Sequence, residues 1–420
     1  MSRTLFACIA GVLLTAASAP ALDWNDPHSI VAAALAASPS LRAADANVAA
    51  ARAQLQAAGT LPNPMLMAGV QDQQIDLSRD PMMTMYTAGV SQTFVRGERR
   101  DALRRAAQLG VERLEREADS RRAEITRDVL VAYDQAAAAN NQIAANEEIA
   151  RLAALTGDAA RVRYETGAAA QSDIIRAKIE ASNIRHAILM QRGVRDSALA
   201  RLRALLDLPP NETVPPFELA HAMEHHAHTE DAPLNPSTPA IAALETEVAR
   251  GEEDIRLANL IRKPDFTIEA SYGMRPEQKD MFSVAGRIEL PVRKSAIAPR
   301  VAEAIARRDA ARAQIGMLRQ QLAAAFGEAL ASRNEAVEQI NLHVEQLVPE
   351  AKLGFESALA SYQTGKTTFD AVLGALQTYR ALNVDYYEFL RQLLIADAEI
   401  DALQHGATGR SGAVAMGGAQ

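Results

Sequence analysis

Two periodicities divide this chain. From Phe266 to Tyr272, apolar Phe266, Ile268, Ala270 and Tyr272 alternate with Thr267, Glu269 and Ser271, the period of a strand with one face in an apolar medium and the other in water. Phe282, Val284, Gly286, Ile288 and Leu290 alternate with Ser283, Ala285, Arg287 and Glu289 in the same way. Two further strand-like segments follow Pro64, and polar turns at Gln73 to Pro81 and Arg275 to Asp280 join each pair into a hairpin. Elsewhere the period is helical. A first helix is expected to open at Asp26 and Pro27 and to run to about Ala58, before Gly59, Pro62 and Pro64. Runs sparse in Gly and Pro extend from Gly97 to about Leu155 and from Ser295 to about Ala360, and a helix of roughly 60 residues is about 90 Å long. Val337, Ile340, Val344 and Leu347 keep the spacing of a coiled-coil seam, as do Ile315, Leu318 and Leu322 upstream. Pro299 falls near the start of that helix, and Pro349 predicts a kink. Each long helix is expected to turn back near Gly167 or Gly365 and to return as a second helix ending near Leu206 or Leu403.

The same succession of elements occurs twice, displaced by about 200 residues. Pro39 is echoed by Pro239 and Pro64 by Pro264. The strand end Gly89 to Arg96 aligns with Gly286 to Arg293, and Tyr164-Glu165-Thr166-Gly167 aligns with Tyr362-Gln363-Thr364-Gly365. The expected units are a signal peptide at 1–21, a first repeat at 22–207, a Pro/His-rich linker at 208–238, a second repeat at 239–405 and a disordered tail at 406–420. A unit repeated in register suits a wall built by rotation about an axis better than it suits a catalytic pocket.

Strands of about ten residues in hairpin pairs are the signature of a transmembrane β-barrel segment. Unpaired edges are not tolerated in lipid, so four strands cannot close a barrel alone and other copies of the chain must complete it. Three copies would provide about twelve strands. The competing reading of the strands by themselves is a small soluble sandwich with one face on a core; the rooting of each hairpin between two long helices favours the barrel. The fold class expected is mainly α with a β-barrel part, in which duplicated helical hairpins form a tunnel.

Composition narrows the setting. The 420 residues carry a formal net charge of −8 and only 4% aromatic residues, with an isoelectric point near 5.6. This charge argues against a nucleic-acid footprint, and Ala-rich helices with few aromatics pack in thin layers rather than thick cores. Arg3, the apolar run Leu5 to Leu14 and Ala19-Pro20-Ala21 form a secretory signal with cleavage after Ala21, Ala19 being the alternative. The lone cysteine, Cys8, lies inside that signal, and Leu5-Phe6-Ala7-Cys8 comes too early to be a lipoprotein box. No segment is long and apolar enough for a transmembrane helix. An enzyme is disfavoured, because no nucleophile elbow, phosphate-binding Gly loop, HExxH pair or supported carboxylate pair is present, and no cofactor site is read.

At this point the sequence resembles the TolC-like outer-membrane efflux family over nearly the whole mature chain. The resemblance rests on Leu61-Pro62-Asn63-Pro64 before the first strand, Leu347-Val348-Pro349-Glu350-Ala351 late in the second long helix, and both Tyr-x-x-Gly turns, the first followed by Ser172-Asp173-Ile174-Ile175. Met82-Met83-Thr84-Met85-Tyr86 with Gly89-Val90-Ser91-Gln92 is similar to the heavy-metal branch of that family. The resemblance implies a homotrimer in the outer membrane of a Gram-negative bacterium, with its barrel in lipid and a long helical tunnel in the periplasm. It also implies a closed lower tip that opens on docking through a periplasmic adaptor (a membrane fusion protein) to an inner-membrane RND-type pump, and a passive conduit without catalysis. Drug or small-molecule efflux, or a type I secretion duct, are alternatives on the same fold. A soluble periplasmic coiled-coil adaptor is the alternative from another class, and would lack the strand pairs.

Gly167, Asp173, Gly365 and Asp370 are the candidate tip residues that the resemblance implies. The second turn departs from the family pattern: Asp173 lies six positions after Gly167, but Ala371 holds that place after Gly365, with Asp370 one residue early, a rotation of about 100° on a helix. Both aspartates are equally readable as helix caps. For cargo, His221, His225, His226 and His228 crowd the linker with Met223, Glu224, Glu230 and Asp231. Imidazole and thioether ligands suit copper, silver, zinc or nickel, although no regular spacing fixes a geometry and a solvated linker explains the stretch more simply. Met65, Met67, Met82, Met83 and Met85 crowd the first strand pair; if Leu66, Ala68 and Val70 face lipid, Met65 and Met67 face the lumen, where thioethers could meet Cu(I) or Ag(I). Plain filling of the barrel is the commoner role for such residues. Arg96, Arg99, Arg100, Arg104 and Arg105, with Arg293 and Lys294, mark a membrane boundary or a solvated helix start.

Overall fold

The computed structural model describes residues 22–72, 84–217, 234–235, 237–275, 278–291, 295 and 297–406. The expected signal peptide, the linker histidines, Met82 and Met83 lie outside them, as does the tail beyond Gly406.

The first helix of the sequence reading is in fact two. α1 (Pro27–Ala37) opens under Asp26, whose carboxylate accepts from the His28 and Ser29 amides. Its run ends at Ser38, which leaves the helix in extended geometry and caps α2 (Pro39–Ala57) by accepting from the Leu41 amide. Pro39 supplies the reason for the break, since a proline has no N–H to continue α1 but fits the first turn of a new helix. The second repeat uses the same device: Thr238 caps α5 (Pro239–Leu260) through the Ile241 amide, with Pro239 first in the helix. An N-cap hydroxyl of this kind stabilises by about 1 kcal/mol.

β1 (Met65–Gln71), β2 (Met85–Phe94), β3 (Phe266–Met274) and β4 (Met281–Ile288) form one antiparallel sheet in sequence order. The repeats meet in its middle. Phe94 stacks on Phe266 with ring centroids 5.1 Å apart, and the Thr93 and Thr267 hydroxyls hydrogen-bond at 2.9 Å.

α3 (Gly97–Glu165) is a single helix of 69 residues, running ten residues beyond the expected end near Leu155, or roughly 100 Å at 1.5 Å per residue. α4 (Gln171–Leu205) returns along it. In the second repeat the outgoing helix is interrupted: α6 (Ile297–Leu342) passes through a π-helical segment (His343–Leu347) into α7 (Val348–Gln363), and α8 (Phe369–His405) returns. Pro349 lacks the N–H that the preceding turn would use, and the Val348 amide reaches back to the His343 carbonyl. The predicted kink is thus accommodated by a wider turn.

The expected seam holds upstream of that turn, where Leu322 is buried with Ile241 and Leu403 and Ile315 and Leu318 pack against them, and loses phase within the turn. The buried positions of α6 are Ile297, Ala304, Ala311, Leu322, Ala329 and Ala336, continued by His343, whereas Val344 is 52% exposed. Ala304 and Ala311, and Leu322, Ala329 and Ala336, keep heptad spacing, so small alanines share the close-packed stripe with Leu322.

The two largest buried clusters lie among the helices. One gathers Ile30, Tyr133, Leu202, Leu394 and Phe217, the last lying 4.4 Å from the Tyr133 ring, so the start of the expected linker is packed rather than free. The other gathers Ile149, Ile184, Phe355, Tyr362, Phe369 and Leu376 near the turns that join the long helices.

Candidate functional site

Register assigns every strand residue to a face. Leu66 pairs with Val90, Val90 with Ala270, and Ala270 with Val284; Val70 pairs with Tyr86, and Tyr272 with Phe282. One face therefore carries Leu66, Val70, Val90, Phe266, Ile268, Tyr272, Phe282, Val284 and Ile288, all exposed. The other carries Thr87, Ser91, Thr93, Glu269, Ser271 and Arg287, with a 3.0 Å ion pair between Arg287 and Glu269. In β2 and β3 the polar-face residues are the more buried: Gly89, Ser91 and Gly273 are buried while Val90 and Tyr272 between them are not. A sheet resting on a soluble core shows the opposite. An uncovered apolar face of this extent calls for an apolar medium.

Parity places Met65, Met67 and Met85 on the polar face, as the sequence pattern requires if Leu66 faces lipid. It does not gather them. Met65 and Met67 sit where β1 leaves α2, paired with Ser91 and Gly89, and Met85 sits at the opposite end of the sheet, paired with Gln71. The sequence match of Gly89 with Gly286 is out of phase, because Gly89 lies on the polar face and Gly286, opposite Ile268, on the apolar one. A slip of one residue exchanges faces. Shifted by one, the repeats align Gly89 with Ala285 and Met85 with Met281, a methionine the sequence reading passed over.

The turn end is built from two equivalent helix terminations. Gly167 (φ 73°) and Gly365 (φ 80°) are in left-handed geometry. The Gly167 amide donates to the Tyr164 carbonyl and the Ala168 amide to the Arg163 carbonyl; Gly365 and Lys366 donate to Tyr362 and Ser361 in the same pattern. These are Schellman caps, which require a residue tolerant of positive φ. Thr166 and Thr364 add hydroxyl bonds to carbonyls one turn back.

Neither Asp173 nor Asp370 is a cap. Ala170 and Thr368 hold the cap positions, with no side-chain cap bond, and the aspartates stand third and second in their helices. Asp370 instead pairs with Arg176 of α4, joining the two repeats. Asp173 accepts from the Ser172 hydroxyl and places negative charge near Tyr362. Burial first and that charge second push the Tyr362 phenol up, against the opposing pull of Arg163. Arg163, absent from the sequence-stated candidates, links the hairpins: its guanidinium donates to the Tyr362 and Ala168 carbonyls and lies 4.6 Å from the centre of the Tyr362 ring. Only its place one residue before the Tyr-x-x-Gly turn could have signalled it.

The arginines after β2 are largely engaged within the fold. Arg96 donates to the Pro264 carbonyl, Arg99 to Asp265 at 2.8 Å and Arg100 to the Gly59 carbonyl, and Arg105 lies 3.2 Å from Glu253. They fasten the helices to the sheet. Lys263 likewise holds the Glu98 carboxyl below its usual range through a hydrogen bond and its charge.

A single sheet with its apolar face outward, mounted on duplicated helical hairpins, defines a membrane-channel fold. CusC, solved in a study of folding and transmembrane channel formation, matches 91% of this chain over 92% of its own at 17% identity, TM-score 0.77. The outer membrane protein VceC from Vibrio cholerae matches 91% over 96% of its own at 18% identity, TM-score 0.76. The outer membrane channel MtrE of Neisseria gonorrhoeae, in its open state, matches 93% over 92% at 16% identity, TM-score 0.74. At these identities the likeness is one of fold. Residues 30–207, the first repeat, match the model of the outer membrane efflux protein family. A comparison with curated protein sequences finds no match. The first repeat thus matches an outer membrane efflux protein domain, and the chain as a whole has the fold of outer-membrane efflux channels.

Proposed function

We propose that this chain is the exit duct of a tripartite efflux system and that its cargo is a transition-metal ion, copper or silver above all. The observation that carries the duct is the sheet: its apolar face is uncovered, and β1 and β4 stand at its two ends, each with one neighbour in the chain. Such edges must be paired in lipid, and three copies side by side close about twelve strands, within the range of outer-membrane barrels. The polar face then lines a water-filled lumen that continues into the helical hairpins. At their far end Gly167 and Gly365 shape the tip, with Asp173 and the Arg176–Asp370 pair at its constriction. A periplasmic adaptor and an RND-type inner-membrane pump would open this tip and supply the energy.

The metal reading rests on soft donors placed along the path. Met65, Met67 and Met85 share the lumen-facing side of the sheet, and thioethers favour Cu(I) and Ag(I) over hard cations. His221, His225, His226 and His228 would add a transient binding segment between the repeats. Deleting the gene in its host and measuring growth against copper, silver, zinc and a panel of hydrophobic drugs tests the cargo. Selective metal sensitivity is the expected outcome; sensitivity to drugs alone would leave the duct and remove the metal.

A further inference from the structure

The polar face holds an arrangement that the separate methionines do not suggest. A Cβ built on Gly273 would lie 2.6 Å from the Met85 Sδ, 3.2 Å from its Cγ and 3.5 Å from its Cε. The Met85 side chain therefore crosses from β2 and occupies the space that a side chain at position 273 would fill. Gly273 pairs directly with Met281 of β4, and residues so opposed have Cβ positions roughly 4.5–5.5 Å apart. The Met85 sulfur is thus within one side-chain length of Met281, which is 47% exposed on the same face. A glycine in the central strand leaves the gap through which the Met85 thioether approaches the strand that carries Met281.

Met85 and Met281 are also equivalent residues of the two repeats, each opening the second strand of its hairpin at the end remote from the helices. We propose that Met85 and Met281 together form a two-thioether site for a soft monovalent cation, Cu(I) or Ag(I), at the far end of the lumen. Two sulfurs suffice for a cation that accepts linear coordination by soft donors. A site of only two neutral ligands also holds its ion weakly, as a conduit requires for the ion to leave. The inference rests on the metal-efflux reading for its role, but not for its geometry.

The test uses the full chain in detergent, labelled with 13C at the methionine methyl groups and titrated with Ag+ followed by NMR. The Met85 and Met281 methyl signals are expected to shift along one binding curve, while exposed Met317 of α6 serves as the reference. Met85→Leu should abolish the shift of Met281. Gly273→Ala retains both sulfurs but forces the flexible Met85 side chain out of the gap, and should weaken Ag+ binding by about tenfold or more, the scale of a disturbed metal environment. Separate curves for the two methyls, shifts no larger than that of Met317, or an unchanged affinity in Gly273→Ala would each overturn the pair. If the pair binds Ag+ while gene deletion leaves metal tolerance unchanged, the cargo reading fails and the site stands. The converse result removes the site and leaves the cargo reading.

Discussion

Tyr362 shows how little of a side chain's role is visible without its neighbours. Its ring lies under Arg163 and against Phe369 at 5.6 Å, yet its buried hydroxyl has no hydrogen-bond partner among the described residues. Tyr362→Phe is therefore expected to be neutral or slightly stabilising in thermal unfolding, since it removes an unsatisfied buried polar group. Arg163→Ala should cost about 1–2 kcal/mol by the same measurement, because charge-assisted bonds to two carbonyls are lost. The exposed Arg176–Asp370 pair should behave differently again. Asp370→Asn is expected to change stability by no more than about 1 kcal/mol, and to appear instead as a raised single-channel conductance if this pair helps close the tip. The sequence disclosed the aspartates but not their partners. Arg176 and Asp370 lie 194 positions apart, and no local pattern relates residues brought together only when one hairpin packs on the other.

At the scale of elements, local rules carried far. The paired Tyr-x-x-Gly ends are short-range chemistry, legible because each depends on a backbone turned to positive φ. The break at Ser38–Pro39 was missed, because an Ala-rich run on both sides of Pro39 hides a proline that fits the first turn of a new helix as well as it ends an old one. Gly167→Ala should cost about 1–2 kcal/mol in thermal unfolding from the left-handed backbone alone, as no atom lies within 4 Å of the added Cβ. Asp207, at φ 54°, already occupies such a position after α4 and shows that the conformation is not closed to other residues. Strand alternation was equally legible, but the phase between repeats was not. Gly89 and Gly286 are identical residues on opposite faces, and only the hydrogen-bonded register distinguishes them. The coiled-coil seam was legible at Ile315, Leu318 and Leu322, which pack together with Ile241 and Leu403, but not at Val344, where the π-helical turn shifts the phase and His343 is buried instead.

For the whole molecule, the sheet makes the sharpest forecast. Val284, on the apolar face and 65% exposed, and Ser283 beside it face opposite media. Val284→Arg should destabilise the membrane-inserted protein by about 2–4 kcal/mol near the bilayer midplane, whereas Ser283→Arg should be tolerated. The folded fraction in lipid vesicles, read by heat-modifiable gel mobility, separates the two. Neither substitution would be informative in a soluble sandwich, where a charge on an exposed face costs little.

The repeats, so alike in their ends, differ in their shafts. α3 is continuous where the corresponding helix of the second repeat passes through the π-helical turn at His343–Leu347. Mechanically, the first hairpin is a strut and the second a lever with a soft joint, so a load applied at the turn end would bend the molecule on one side only. Amide hydrogen exchange is expected to be faster at residues 343–348 than at the matching stretch 145–150 of α3. The two hairpins would in this way divide rigidity and compliance between them.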